Sequence, residues 1–181
     1  MAKLEPFIPS EDIAALSALQ NDFGQIEQVK KTYQYIVVLL GKEQIAIPIK
    51  SIKEILEIPP ITPLPNVPDY ILGICSVRGD ITSVTDIRKM IDISTTEGKT
   101  RKEIQKQRVI ILEGEKFVTG VVVDTVVEVI NFADEDVETS ESTLTGRIGE
   151  FSRGLFKECG RMLIVLDVNS LLNSQELMQF N

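Results

Sequence analysis

Histidine is absent from the 181 residues, and with it go the nucleophile–histidine pairs, the HExxH zinc site and the histidine general base. Carboxylates are plentiful, 27 Asp and Glu against 19 Lys and Arg, but acid–base work needs two of them facing across a cleft, and no motif sets them so. Cys75 and Cys159 fall in strand-like stretches without CxxC spacing; a zinc site or redox dithiol is not indicated, and both read as buried free thiols. Neither GxxxxGK[ST] nor GxGxxG occurs, so the common phosphate cradles are missing. No enzymatic activity, cofactor or metal is expected. Arg78, in the turn-like tripeptide Arg78-Gly79-Asp80, is left as the side chain with most to offer: a planar, permanently charged donor set suited to recognition.

The net charge of −8 and pI near 4.7 argue against nucleic acid, which asks for clustered Lys and Arg. The densest basic stretch, Lys99-Thr100-Arg101-Lys102 with Lys106 and Arg108, is short, lies among polar residues and reads as a solvated linker. No apolar run reaches the roughly 18–20 residues that span a bilayer, and the first residues lack the order of a secretory signal. A cytoplasmic protein without membrane insertion is expected. Hydrophobic residues at 43% and charged residues at 25% indicate a folded chain.

Charged turns must be held by elements, and the pattern supplies mostly strands. Residues 1–31 form an N-terminal extension, partly ordered or a short helix capped at Ser10 with Ile13, Leu16 and Leu19 on one stripe. From Thr32 the texture is β: TYQYIVVLL, a turn at Gly41, then QIAIPI make a hairpin. Ile52, Ile55 and Leu56 are spaced for a helical turn over Lys50 to Leu56, ended by Pro59-Pro60. Residues 71–77 and 81–87 are two further strands, and Arg88 to Ile91 another helical turn. Residues 92–106 have no strand periodicity and form a linker. Strands resume at 108–113, 117–123, 125–130, 153–157 and 161–167, interrupted by the acidic stretch 134–141, and a C-terminal helix and tail occupy 169–181.

The halves repeat. A shift of 74 lays Ile47, Ser51, Ile52, Glu54 and Ile55 over Val121, Thr125, Val126, Glu128 and Val129; a shift of 81 lays Gly73, Gly79, Val84 and Asp86 over Gly154, Gly160, Val165 and Asp167. Two similar small β-barrels follow, a first lobe at about 32–91 and a second at about 107–168, with strands possibly exchanged between them. Lobes this small have marginal cores and should share apolar surface. Residues that the barrel demands should recur, and residues serving a partner need not: Arg78 falls opposite Cys159.

The run from Tyr35 to Asp92, with Pro48–Ile55, Leu64–Arg88, Val118–Val129 and the ending Gly160–Ser174, resembles the CheW family of bacterial chemotaxis coupling proteins across residues 33–175. The resemblance implies an all-β fold of two packed SH3-like five-stranded barrels with short helical turns and a C-terminal helix. It also implies a non-enzymatic scaffold linking the cytoplasmic tips of methyl-accepting chemoreceptors to the regulatory domain of the histidine kinase CheA, recruited to membrane-associated arrays. By position it assigns receptor binding or coupling to Ile52, Gly73, Arg78 and Gly79, and kinase binding to Glu54. Each residue has a structural alternative: Ile52 as core, Gly73 and Gly79 as backbone geometry, Glu54 as a residue that recurs in Glu128. The family has Asn-Leu before Arg-Gly where this chain has Ser76-Val77, and Asp80 sets a negative charge beside Arg78. The acidic stretch at Asp134, Glu135, Asp136, Glu138 and Glu141 reads as a solvated loop or as the match to a basic surface on the kinase. The competing readings are an adaptor of the same fold in a non-flagellar pathway, controlling twitching or a second messenger, and a small-ligand-binding β-barrel.

Overall fold

Runs of Val and Ile in alternation bury one or both faces of a strand, and here they make eleven strands in a computed structural model that describes residues 30–94, 100–139, 144 and 146–179. The helix expected within 1–31 lies outside the described residues. The strands are β1 Thr32–Leu40, β2 Glu43–Pro48, β3 Ile52–Glu57, β4 Ile71–Val77, β5 Asp80–Thr85, β6 Arg108–Glu113, β7 Val118–Val123, β8 Thr125–Ala133, β9 Val137–Glu138, β10 Ser152–Glu158 and β11 Arg161–Leu166. Short helices punctuate them: α1 Ile87–Met90, α2 Arg101–Lys106, α3 Arg147–Glu150, α4 Val168–Leu172 and α5 Gln175–Met178.

Two sheets result, β3-β6-β7-β5-β4 and β8-β1-β2-β11-β10-β9. Translated through the repeat, β3, β6, β7, β5 and β4 become β8, β1, β2, β11 and β10, so both sheets have one order. Their parallel pairings also correspond: Val84 lies against Gly120 as Val165 lies against Ala46. Neither sheet is a contiguous half of the chain. The hairpin β1–β2 sits in the sheet of β8 to β11, and β6–β7 sits in the sheet of β3 to β5. The two sheets therefore exchange hairpins between the halves of the chain.

The exchanged hairpins bury both faces. Even-numbered residues Ile36, Val38 and Leu40, with Ile45 and Ile47, join Ile110, Leu112, Val121 and Val123 in a core shared by the lobes and closed by Ile87, Met90, Leu171 and Leu172. Tyr35, Val37 and Ala46 face the other way, into the lobe that holds Phe132, Phe156 and Leu163. Tyr35, Phe132 and Phe156 stack there at centroid spacings of 3.9 and 4.0 Å. Cys75, Val84, Val109, Ile111 and Val122 fill the other lobe. Each fully buried aliphatic side chain contributes about 1.5–3 kcal/mol, and the shared core supplies what a small lobe lacks.

Four local expectations change. Residues Lys50 to Leu56 are a 3-10 turn at Ile49–Ser51 followed by strand β3, because Ile52, Glu54 and Leu56 turn inward in strict alternation while Ile55 faces out. The linker holds helix α2, specified by a capping box in which Thr100 and Glu103 satisfy each other's backbone N–H. The C-terminal helix is broken into α4 and α5 around Asn173 and Ser174. Cys75 is buried as expected, but Cys159 is exposed, since it occupies a tight turn at φ 48°.

Candidate functional site

Strands β4 and β5 join through the two residues Arg78 and Gly79, with Val77 paired to Asp80. A two-residue hairpin needs positive φ at both positions, and they have 53° and 99°. Gly79 accepts this freely, with nothing within 4 Å of a Cβ added there. Arginine in the left-handed region costs about 1–2 kcal/mol, so turn formation alone does not account for Arg78.

Its guanidinium reaches Glu54 on β3, Nε donating to Oε2 at 2.9 Å and Nη2 to Oε1 at 2.8 Å. In sheet order, β3 and β4 are opposite edges. Strands lie about 4.8 Å apart, so the sheet curls strongly to bring these side chains together, as a small barrel does. The Arg78 side chain is 80% exposed and that of Glu54 22%. The hydrogen bonds from Arg78 hold the Glu54 carboxyl below its ordinary pKa. Arg78 is thus neutralised from across the sheet by Glu54, not by the adjacent Asp80. Val77, Ile81, Ile111 and Val118 join the pair around a cavity of about 220 Å³, and Ile81 is 75% exposed.

The other predicted residues separate from this pair. Ile52 is half-buried and packs against the shared core. Gly73, at φ 140°, lies against the segment before β4, where an added Cβ would stand 2.1 Å from the Thr62 carbonyl oxygen. Gly154 repeats the arrangement, 2.1 Å from the oxygen of Glu138. The structure therefore joins Glu54, Arg78 and Gly79 on one surface and gives Ile52 and Gly73 positions that serve packing.

Position 159 lacks the arginine of position 78, yet the second lobe has the same kind of ion pair. Glu128, the repeat partner of Glu54, accepts from Arg161, which also binds Glu158 at 2.9 Å. Arg161 lies 81 residues beyond Asp80, so the charge has moved to the other end of the turn; comparing residue 80 with 161 would have exposed it. Asymmetry persists in exposure, because the Arg161 side chain is 39% exposed and held by two carboxylates.

A second polar cluster is buried. Arg88 of α1 donates through Nε and Nη2 to Asp86 at 2.7 and 2.6 Å, and through Nη1 to Asp124. Burial by itself would lower the Arg88 pKa, but the two carboxylates outweigh it and raise it. Asp124 is the single residue between β7 and β8, where the chain passes from one sheet to the other. It also accepts from the Gly41 backbone N–H at 2.7 Å and from Gln107 Nε2 at 3.2 Å. Asp86 and Asp167 recur as helix caps, while Arg88 falls opposite Asn169. In the acidic stretch, Asp134 accepts from Tyr35 at 3.0 Å and pairs with Arg153 at 3.1 Å, so at least its first residue is part of the fold.

Fold and site together define a two-lobed β protein with an exposed, paired arginine on one hairpin turn. Residues 34–176 match the CheW-like domain model, and the chain belongs to the CheW-like family. It is 30% identical over 145 residues to the chemotaxis protein CheW of Treponema pallidum, covering 80% of this chain and 85% of that protein. To the chemotaxis protein CheW of Klebsiella aerogenes it is 30% identical over 144 residues, 80% and 84% of the two chains. The crystal structure of the scaffolding protein TtCheW from Thermoanaerobacter tengcongensis superimposes with a TM-score of 0.70 at 27% identity, covering 81% of this chain and 96% of that one. The protein is accordingly a scaffold or adaptor of the chemotaxis class. No helix among the described residues is long and apolar enough to cross a membrane.

Proposed function

We propose that the protein is a non-enzymatic adaptor that couples the cytoplasmic tips of methyl-accepting chemoreceptors to the regulatory domain of the histidine kinase CheA, working in the cytoplasm at membrane-associated arrays. The observation that carries this reading is the exposed, bidentate Glu54–Arg78 pair. A guanidinium has five N–H groups. Glu54 uses two of them, which leaves three turned to a partner's carbonyl or carboxylate oxygens. Ile81 and the small cavity beside it offer an apolar seat for a helical tip, with Arg78 as the charged rim. Receptor contact assigned to Arg78 and kinase contact assigned to Glu54 meet in one pair of hydrogen bonds, so a partner that draws Arg78 away alters Glu54 as well. Weak single contacts suffice, because clustered receptor tips raise the effective concentration. Ile52 and Gly73 support this surface through packing, and Gly79 through the turn.

Co-sedimentation with receptor cytoplasmic fragments and CheA, with kinase activity read on the same samples, tests the proposal. Wild-type protein is expected to sediment and raise kinase activity, and Arg78→Glu to do neither while keeping its thermal unfolding. The exchange Glu54→Arg with Arg78→Glu restores the ion pair in reverse. Recovery of coupling in that double variant would assign the pair a purely structural role and overturn direct contact by Arg78.

A further inference from the structure

Within the linker, Arg101–Lys106 is an ordered element with its one aliphatic residue turned outward. Thr100 accepts from the Glu103 N–H at 3.3 Å and donates its own N–H to Glu103 Oε2 at 2.7 Å, so α2 is specified by its own residues. It buries none of them. Ile104, its aliphatic residue, is 52% exposed, and Ile58, just beyond β3, is 40% exposed. These two isoleucines, with Glu57, Gln105, Gln107 and Arg108, line an open notch of about 400 Å³. Arg108 is fixed in its wall by donating through Nη1 to the carbonyls of Gln105 and Gln107 at 2.9 and 2.8 Å.

The charge here opposes that of the molecule. Residues 100–108 carry Arg101, Lys102, Lys106 and Arg108 against Glu103, a local +3 in a chain of net charge −8. Glu103 is committed to Thr100, and Glu57 is 3.9 Å from Arg108 with a 90% exposed side chain, a pair too loose and wet to cancel the patch.

We propose that this notch docks an acidic segment of a partner protein, with one aliphatic side chain inserted between Ile58 and Ile104 and flanking carboxylates met by Arg101, Lys102, Lys106 and Arg108. A notch floored by Ile58 and Ile104, with Arg108 in its wall and a locally basic helix beside it, selects a protruding aliphatic side chain with acids around it. A bilayer surface is flat and is gripped by protruding apolar side chains, and an anionic membrane repels the remaining negative charge of this molecule. A second copy of the chain would have to offer its own acidic turn, but Asp134 there is already held by Arg153 and Tyr35. The proposal shares no residue with the Glu54–Arg78 pair and does not rest on the receptor and kinase reading.

The test uses the full chain and a fluorescein-labelled dodecapeptide of Asp and Glu with one central Leu, beside a twin carrying Gly in its place, followed by fluorescence anisotropy. The leucine peptide is expected to bind at least about fivefold more tightly than its twin, the order expected for burying one aliphatic side chain. Ile104→Ser should remove that difference, and Lys102→Glu with Lys106→Glu should weaken both peptides. All these positions are exposed, so thermal unfolding should not move. Arg78→Glu should bind the peptide as wild type does. Equal binding of the two peptides, absence of binding, or equal loss in Arg78→Glu would overturn the proposal. So would preferential binding to phosphatidylserine–phosphatidylcholine vesicles, or self-association in sedimentation velocity that Ile104→Ser abolishes.

Discussion

Arg78 occupies a backbone conformation that arginine disfavours, on a turn where the sister lobe manages with cysteine, and its side chain is largely in water. What offsets that cost within the fold is the pair of hydrogen bonds to Glu54. The glycines nearby divide by the same reasoning. Alanine at Gly73 would drive its Cβ into a backbone oxygen at 2.1 Å, and the expected loss is on the order of 2–4 kcal/mol. Alanine at Gly79 meets open space and only the conformational penalty of about 1–2 kcal/mol. Thermal melts of Gly73→Ala and Gly79→Ala check this; equal losses would mean that Gly73 is not held by the Thr62 segment. Tyr35 gives a second residue-scale prediction. Burial, the hydrogen bond to Asp134 and the Asp134 charge push its phenol up to about 12 from an ordinary 10.0. Between those values the folded protein keeps a proton that the unfolded chain has released, so stability falls as pH rises from about 10 through about 12. Ultraviolet difference titration should show this late-ionising tyrosine, and Asp134→Asn should bring it earlier.

Among the elements, the β7–β8 crossing is pinned by a buried ion cluster. Arg88 holds Asp86, which caps α1, and Asp124, which receives the β1–β2 turn through Gly41. Removing one member of a buried ion cluster strands the others in low dielectric. Arg88→Ala leaves two buried carboxylates and should cost about 3–5 kcal/mol, whereas Arg88→Ala with Asp124→Asn should cost less than the separate losses combined. Chemical denaturation of the three variants measures both; additive losses would show that Arg88 and Asp124 do not act together. Parts of this architecture were legible beforehand. The repeat identified equivalent strands, whereas the Thr100 and Glu103 signal for α2 was passed over because residues 92–106 lack strand periodicity and read as a linker. That strands could be exchanged was open in the sequence, but which hairpins exchange was not readable, because a repeat shows which strands correspond and not which copy each one pairs with. Strand β3 was misread because Ile52, Ile55 and Leu56 fit a helical spacing, although Ile55 points to solvent. The Glu54–Arg78 contact joins opposite edges of a sheet, and the curl that brings them together has no local signature. Arg161 was missed because its charge sits two residues past the position opposite Arg78.

At the scale of the whole molecule, the repeat poses a choice between two closures. By equivalence, β1–β2 could complete the sheet of β3 to β5, and β6–β7 the sheet of β8 to β11, each half folding by itself. The exchanged arrangement is the one adopted, and burial gives the physical reason. Ile36, Val38, Leu40, Ile45 and Ile47 on one hairpin, and Ile110, Leu112, Val121 and Val123 on the other, lie in a core common to both lobes. A half standing alone would leave one hairpin face in water, and a lobe of this size has little stability to spare. Residues 32–91 and 107–179 made separately should therefore lack cooperative unfolding. Mixed together they should regain it, since the strands exchanged through sheet pairing need no continuous chain. The intact protein should unfold in one calorimetric transition whose van't Hoff and calorimetric enthalpies agree. Scanning calorimetry and near-ultraviolet circular dichroism of the halves, the mixture and the whole decide the matter. A half that melts cooperatively by itself would show that unexchanged closure is stable and that the shared core is not what selects the exchange.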